Sequence, residues 1–291
     1  EAGVTPVSYS GPVLADEKII FGSDRLGLVA LSKKNGQQLW RNRYAEGVTA
    51  VPFVHESKVF VGTGDGVVRQ VSIEGGQEIW QTSLGAPVHG SIAMAFDRLY
   101  VATADEGLHC LDPSTGRVLW VYKRPAFGGT SIRGGGHPSV IDGRIWMGFS
   151  DGALVSLDPQ TGGLESERLF RDNLKFMDID AKVIGWKEGL LVASYDGKLR
   201  YLRRDGALHW EFPAGGARAP ILTEGDVIYL PSSDGSIYAL SGSSGKELWR
   251  HSLRRGVPTG LALARGKDGA SRLIVSGSQE SIVILNAATG A

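Results

Sequence analysis

The feature that most constrains the fold of this chain is a repeat of about 40 residues that occurs seven times. Each copy contains a β-branched run, a turn that ends near Asp-Gly, a second apolar run and another turn that ends in Gly. The second-turn glycines follow one another at intervals of 39 to 46 residues, at Gly36, Gly76, Gly116, Gly162, Gly206, Gly245 and Gly290. A period of this length determines the architecture of the whole chain.

A tryptophan follows the glycine by four residues in five of the copies, at Trp40, Trp80, Trp120, Trp210 and Trp249. Ser166 takes this place in the fourth copy. Short runs of Val, Ile, Leu and Tyr between Asp-Gly, Thr-Gly or Ser-Gly turns predict β-hairpins, because those turn residues tolerate a positive φ. We predict four antiparallel strands in each copy, with the tryptophan on the outermost strand in a packing role.

Seven such sheets can stack linearly or close into a ring, and a ring protects the sheet edges better. The sequence therefore predicts an all-β fold, a β-propeller of seven four-stranded antiparallel blades that forms a single domain over residues 1–291. The repeats span approximately residues 10–41, 50–81, 90–121, 136–167, 181–211, 218–250 and 259–291. A strand from residues 1–9 is the candidate for completing the last blade, and the sequence leaves both a closed ring and an incompletely closed one open.

Charge and cysteine content exclude several classes of protein. The 31 basic residues balance the 31 acidic ones, so no long-range field favours nucleic acid. Cys110 is the only cysteine, which excludes an intrachain disulfide and a Cys-rich metal site, and its place on a strand predicts a buried, unreactive thiol. The six histidines lack the spacing of a metal-binding helix, and we predict no metal and no cofactor.

Membrane and targeting signals are missing from the sequence. No uncharged apolar run approaches the roughly 20 residues that span a bilayer. The chain starts at Glu1 without a basic-then-apolar leader, and we interpret it as a mature product whose targeting segment has been removed.

Several short motifs are better explained by the repeat than by chemistry. The stretch GTGDG at 62–66 imitates a dinucleotide fingerprint, and GSSGK at 242–246 imitates part of a phosphate loop, but both fall at predicted turns. We interpret the cluster Arg200, Arg203 and Arg204 as a solvated strand edge whose charge discourages edge pairing.

The signature of Ala-Leu, Gly and Trp, as in Ala30-Leu31 to Trp40, resembles the tryptophan-docked repeats of pyrroloquinoline-quinone dehydrogenases. The single cysteine is incompatible with the vicinal disulfide that is common in those enzymes. A closer resemblance, over most of the chain, is to the BamB family of outer-membrane β-barrel assembly proteins. It rests on the first repeat at 23–40 and on two long connections: SIRGGGHPSV at 131–140 is similar to the family's Leu-Arg-Gly loop, and FMDIDAKV at 176–183 is similar to its Asp-x-Asp loop.

This resemblance implies a non-enzymatic scaffold at the periplasmic side of the outer membrane, held by a lipid anchor that this chain does not contain. The implied partners are the POTRA domains of BamA and nascent outer-membrane proteins. Carried over by motif, Ile132 and Arg133 match the family's apolar-Arg pair, and Asp178 and Asp180 match its two aspartates. Thr130 stands where the family has an apolar residue. The alternative for the charged residues is that Arg133 pairs with the aspartates and only shapes the loops.

The repeat spacing points to the same two connections, at 128–140 and 173–183, because the extra residues of the fourth copy fall between Trp120 and Arg144 and those of the fifth between Ser166 and Gly189. Elaborated loops on a rigid scaffold often carry function, and we expect these two to lie side by side on one face. His137, in the first of them, is a further candidate contact. If the second connection is extended, Asp178 and Asp180 lie on the same side of it.

The alternative function is a propeller enzyme or sensor that binds a small ligand or a quinone cofactor at the central opening. The inner strands near Pro12, Pro52 and Pro220 would converge there.

Overall fold

The computed structural model of the chain describes residues 11–125, 136–170, 177–216, 220–279 and 282–291. These residues form twenty-eight β-strands. None of the described residues belongs to a helix of the length and apolarity needed to cross a membrane.

The strands group into seven sheets, which follow one another along the chain and which we call blades 1 to 7. Blades 1 to 3 contain β1 (Val13–Ala15), β2 (Lys18–Ser23), β3 (Gly27–Ser32) and β4 (Gln38–Asn42); β6 (Phe53–His55), β7 (Lys58–Gly62), β8 (Val67–Ser72) and β9 (Glu78–Ser83); and β10 (Gly90–Ala95), β11 (Arg98–Thr103), β12 (Gly107–Leu111) and β13 (Val118–Lys123), with β5 (Ala50–Val51) at the edge of blade 3. Blades 4 and 5 contain β14 (Ser139–Ile141), β15 (Arg144–Gly148), β16 (Ala153–Leu157) and β17 (Leu164–Leu169); and β18 (Ile184–Trp186), β19 (Gly189–Ser194), β20 (Lys198–Arg203) and β21 (Leu208–Pro213). Blades 6 and 7 contain β22 (Leu222–Glu224), β23 (Val227–Pro231), β24 (Ser236–Ser241) and β25 (Glu247–Ser252); and β26 (Pro258–Arg265), β27 (Ser271–Gly277) and β28 (Val283–Asn286).

This succession of antiparallel meanders is a seven-bladed β-propeller, which confirms the predicted fold class. Two blades depart from the predicted pattern. Blade 7 has three strands among the described residues, and residues 1–9, the predicted source of a completing strand, lie outside them. In the second copy, Pro52 divides the innermost run, and the short β5 pairs in parallel with β10 of blade 3, Ala50 opposite Gly90.

The five repeated tryptophans each join their blade to the next one along the chain. Each indole Nε1 donates a hydrogen bond to the carbonyl oxygen three residues before the next repeat glycine: Trp40 to Ile73 at 3.0 Å, Trp80 to Pro113 at 3.0 Å, Trp120 to Pro159 at 3.2 Å, Trp210 to Gly242 at 2.8 Å and Trp249 to Ala287 at 3.1 Å. The tryptophans lie on the outermost strands, as predicted, and their role is packing.

Two structural constraints, a positive φ and the close approach of an indole ring, favour glycine at the repeat position. Gly116, for example, has φ +72, and a Cβ built on it would lie 2.5 Å from Cε3 of Trp80. The fourth copy lacks this docking: Ser166 instead shares a hydrogen bond with Ser156, Oγ to Oγ at 2.6 Å. At the next repeat glycine, Gly206, the nearest atom to such a Cβ is Nη1 of Arg168, 4.0 Å away.

The described residues pack as two compact units. The first unit contains the described residues up to 125 together with 136–147 and 155–166, and the second contains 148–154 and the described residues from 167 onward. In the second unit, the largest apolar cluster joins blades 5 and 6 through buried residues such as Leu191, Leu199, Ile228 and Leu240.

Candidate functional site

In the second unit, the hairpin between the second and third strands of a blade and the connection to the next blade lie at the same end of the sheet. The register requires this, because Lys198 at the start of β20 pairs with Pro213 at the end of β21. Backbone hydrogen bonds tie each connection to these hairpins: Phe170 N to Gly152 O at 2.8 Å, Ala214 N to Gly197 O at 2.6 Å and Leu253 N to Gly235 O at 2.9 Å. We call this side of the second unit the connection face.

The Asp-x-Asp segment is fixed between two hairpins of the connection face. Ile179 N donates to Phe149 O at 3.2 Å in blade 4, and Asp178 O accepts from Tyr195 N at 2.9 Å in blade 5. The Ile179 side chain is fully buried and lies against Gly148, where any larger residue would clash with it. The backbone around the aspartates therefore has a defined position.

The two aspartates of this segment differ in exposure. Asp178 is 0% exposed, whereas Asp180 is partly exposed. The segment is not part of a strand. Asp180 can reach a partner from this position, whereas Asp178 can act only on the conformation of the segment.

A polar network that sequence reasoning missed supports the hairpins. Four blades carry a hydroxyl residue at the end of the second strand, an aspartate two residues later and a hydrogen-bonding side chain six residues later. These sets are Thr63, Asp65 and Arg69; Thr103, Asp105 and His109; Ser194, Asp196 and Arg200; and Ser232, Asp234 and Tyr238. The spacing repeats along the sequence and could have revealed the network.

The Arg200 set is the most buried of the four. The guanidinium forms an ion pair with Asp196 in which both side chains are 2% exposed, and it donates to Ser194 Oγ at 2.7 Å. Its Cζ also lies 4.6 Å from the ring centroid of Phe170, at the start of the connection to blade 5. The interpretation of Arg200 as a solvated strand edge is therefore wrong, because only Arg203 and Arg204 of that cluster are exposed.

The Arg69 set in the first unit repeats this arrangement. Arg69 Nη1 donates to Thr63 Oγ1 at 2.7 Å, and Nη2 of the same guanidinium lies 3.5 Å from Oδ2 of Asp65. Burial alone would raise the pKa of Asp65, but the hydrogen bond from Thr63 and the charge of Arg69 hold that pKa below its usual value. The guanidinium lies 4.5 Å from the ring centroid of Tyr44, which precedes the connection to blade 2.

The His109 set has the residue types of a catalytic triad but not its geometry. Thr103 Oγ1 lies 2.7 Å from Asp105 and 3.2 Å from Nε2 of His109, so the hydroxyl stands between the acid and the base. In a triad the histidine stands between them. Burial lowers the pKa of His109. Since arginine or tyrosine takes the place of this histidine in the other sets, the network is structural.

The first long connection is described only at its end. Thr130, Ile132 and Arg133 lie outside the described residues. Beyond them, Nδ1 of His137 lies 3.0 Å from Oγ of Ser91 on β10, which anchors the end of this connection to blade 3.

The remaining chemistry-bearing residues do not form a site among the described residues. Cys110 is buried, and this burial raises the pKa of its thiol to about 11, in line with the predicted unreactive thiol. No group of three or more His, Cys, Asp or Glu in the described ranges could hold a metal ion.

The family model and the similar proteins named below point to one protein family. Residues 4–80, 25–184 and 167–291 match the family model described as outer membrane protein assembly factor BamB. The BamB protein of Shewanella oneidensis is 25% identical over 265 residues, which cover 83% of this chain and 66% of that protein's length. The crystal structure of BamB from Moraxella catarrhalis superposes with a TM-score of 0.81 at 20% identity, covering 97% of this chain and 86% of that one. At that identity the structural likeness shows the fold alone.

An enzyme is also similar to this chain. Tetrathionate hydrolase of Acidithiobacillus ferrooxidans is 24% identical over 271 residues, which cover 91% of this chain but 48% of the enzyme. The chain is therefore similar to about half of that enzyme's length.

Proposed function

The chain belongs to the BamB family of outer membrane protein assembly factors, and from this premise we propose that it is a scaffold for the assembly of outer-membrane proteins. The proposed place of action is the periplasmic side of the outer membrane, where a lipid anchor would hold the protein. The proposed partner is BamA, bound through its POTRA domains, with nascent outer-membrane proteins as further partners.

The observation that carries this proposal is the fixed position of the Asp-x-Asp segment. Its backbone is bonded to the hairpins of blades 4 and 5, and it presents the partly exposed side chain of Asp180 on the connection face. A side chain on a preorganised backbone loses less entropy when it binds than one on a loop that must order first.

In this proposal the residues have separate tasks. Asp180 accepts hydrogen bonds from basic side chains of the partner, and Arg133 binds a carboxylate or backbone carbonyls with its planar guanidinium. Thr130 and Ile132, which precede that arginine in the sequence, contribute to the same interface in this proposal. Asp178 is buried and holds the conformation of the segment rather than contacting BamA.

We further propose that the protein is not an enzyme. The curated BamB relatives are named as assembly factors, and the triad-like set at His109 is a structural network that recurs with other residue types. In the alternative, ligand-binding function, turnover would appear when the purified protein is supplied with a quinone. We expect no such turnover.

The test is recovery of BamA from detergent-solubilised envelopes of the source bacterium, with bound proteins identified by mass spectrometry. Wild type should recover BamA, and the Arg133→Glu, Asp180→Arg variant should recover much less. A matched control is Asp205→Arg, because Asp205 is an exposed aspartate at the other end of blade 5, in the turn after β20. Failure of the wild type to recover BamA would contradict the proposed function.

A further inference from the structure

An adjacent pair of arginines, Arg254 and Arg255, is exposed on the connection face of the second unit. The pair lies in the connection between β25 and β26. Neither guanidinium has a hydrogen bond or an ion pair with any residue in the described part of the chain. Both cations are therefore available to a partner.

The backbone that carries the pair is fixed on both sides. Leu253 N donates to Gly235 O at 2.9 Å in the hairpin of blade 6, and Ser278 N donates to Val257 O at 2.9 Å in the hairpin of blade 7. Gly256 has φ +76, and a Cβ there would lie 2.5 Å from Oγ of Ser278. Only glycine fits this turn, which seats the arginines between two hairpins.

The arginine pair and the Asp-x-Asp segment occupy corresponding places. Each lies in a connection that is bonded to the hairpins of the two blades it joins, and both connections belong to the connection face of one unit. Only the connection between blades 5 and 6 intervenes along the chain. A partner domain that covers this face can therefore meet Asp180 and the arginines together.

The one acidic residue in the described part of this hairpin and connection is Asp234. Asp234, in the hairpin against which the pair is seated, accepts hydrogen bonds from Tyr238 at 2.7 Å and from Ser236 N at 2.8 Å. In the described residues of this hairpin and connection, two guanidiniums face one carboxylate, so this end of the connection face carries a net positive charge.

Guanidinium groups bind carboxylates in a planar, bidentate geometry, and a small number of them is typical of protein interfaces. A membrane surface is usually recognised by clusters of about 4–8 basic residues, and duplex DNA by about 6–10 phosphate contacts. Two arginines on a chain with zero net charge fit an acidic protein segment better than either of these.

We propose that Arg254 and Arg255 form a second contact site, which binds carboxylate side chains of the same protein partner that Asp180 contacts. This inference rests on the proposed function, since it assigns a partner to the connection face. The site would act mainly on the rate of association, because charges at the rim of an interface steer the encounter of two proteins.

The chain supplies a matched control for the test. Arg203 and Arg204 are a second exposed arginine pair, at the end of β20 opposite to the hairpin end. Association of the purified periplasmic region of BamA is measured for wild type, Arg254→Glu/Arg255→Glu and Arg203→Glu/Arg204→Glu at low and at high salt. We expect the 254/255 variant to associate about fivefold more slowly at low salt, with a weaker dependence on salt, and the control to stay within about twofold of wild type.

An acidic peptide and anionic lipid vesicles serve as two further binding probes. A labelled octaglutamate peptide should bind the wild type more tightly than the 254/255 variant. This measurement tests the arginine site even if the wild type does not bind BamA. Failure to bind BamA would contradict the proposed function but not the carboxylate site. The inference would be overturned if the 254/255 and 203/204 variants bound the peptide equally well and associated with BamA at equal rates. Loss of binding to vesicles containing phosphatidylglycerol, with BamA binding unchanged, would assign the pair to lipid and overturn it as well.

Discussion

The indole ring of Trp80 lies over Gly116 of the next blade, so that a Cβ on this glycine would meet ring atom Cε3 at 2.5 Å. The same relationship links Trp40 to Gly76 and Trp249 to Gly290. The glycine and the tryptophan of neighbouring repeats therefore form one unit of packing, 36 residues apart for Trp80 and Gly116.

Replacement of Gly116 by alanine should test this unit. Alanine at φ +72 is strained by about 1–3 kcal/mol, and displacement of the indole adds a similar cost. We expect Gly116→Ala to lower the free energy of unfolding by about 3 kcal/mol in urea denaturation. Gly206→Ala is the matched control, because φ is +82 there and no tryptophan covers it, and it should cost about 1 kcal/mol. If both variants lost the same free energy of unfolding, the indole contact would not contribute to stability.

The buried pair of Arg200 and Asp196 predicts a large effect of a single substitution. Arg200→Met leaves the carboxylate of Asp196 buried without its counter-charge, and we expect a loss of about 3–5 kcal/mol in the free energy of unfolding. Arg144→Met removes an ion pair of 2.7 Å with Glu165 in which both side chains are at least one-third exposed, and should cost less than about 1 kcal/mol. The account of the network is wrong if the two variants lose the same stability.

The pKa of His109 predicts how stability depends on pH. Burial lowers this pKa below 6.5, the value expected in the unfolded chain, so the unfolded state takes up a proton at a pH where the folded state does not. The stability is fully present above about pH 6.5 and falls as the pH drops from there toward the folded-state pKa. Between pH 7.5 and 5.5, His109→Gln should therefore lose less stability than the wild type.

A matched histidine distinguishes this effect from a general one. His55 is exposed on blade 2, and His55→Gln should follow the wild-type pH dependence in the same urea titrations. If His109→Gln and wild type show parallel pH profiles, burial of His109 has no part in the acid sensitivity of the protein.

The propeller could be predicted because its determinants are local and repeated. Asp-Gly turns, β-branched runs and the tryptophan four residues after the glycine each define an element within one copy, and seven copies define the fold. The Arg200 network was also accessible, since the spacing of Ser194, Asp196 and Arg200 recurs in three other blades. Read alone, a strand arginine suggested solvent exposure.

The different burial of Asp178 and Asp180 could not be predicted in the same way. It arises because hydrogen bonds to Phe149 and Tyr195 draw the segment between two hairpins that are distant in sequence. Nothing in the local sequence FMDIDAKV specifies those contacts. Tertiary packing thus determined which of the two aspartates can be reached by a partner.

The central proposal is that the connection face binds BamA through Asp180. The most direct measurement is the dissociation constant of the purified periplasmic region of BamA for wild type, for Asp180→Arg and for Asp205→Arg. We predict that Asp180→Arg weakens binding about tenfold or more while Asp205→Arg leaves the constant unchanged within about twofold. Equal affinities of the wild type and Asp180→Arg, with both proteins folded, would contradict the claim.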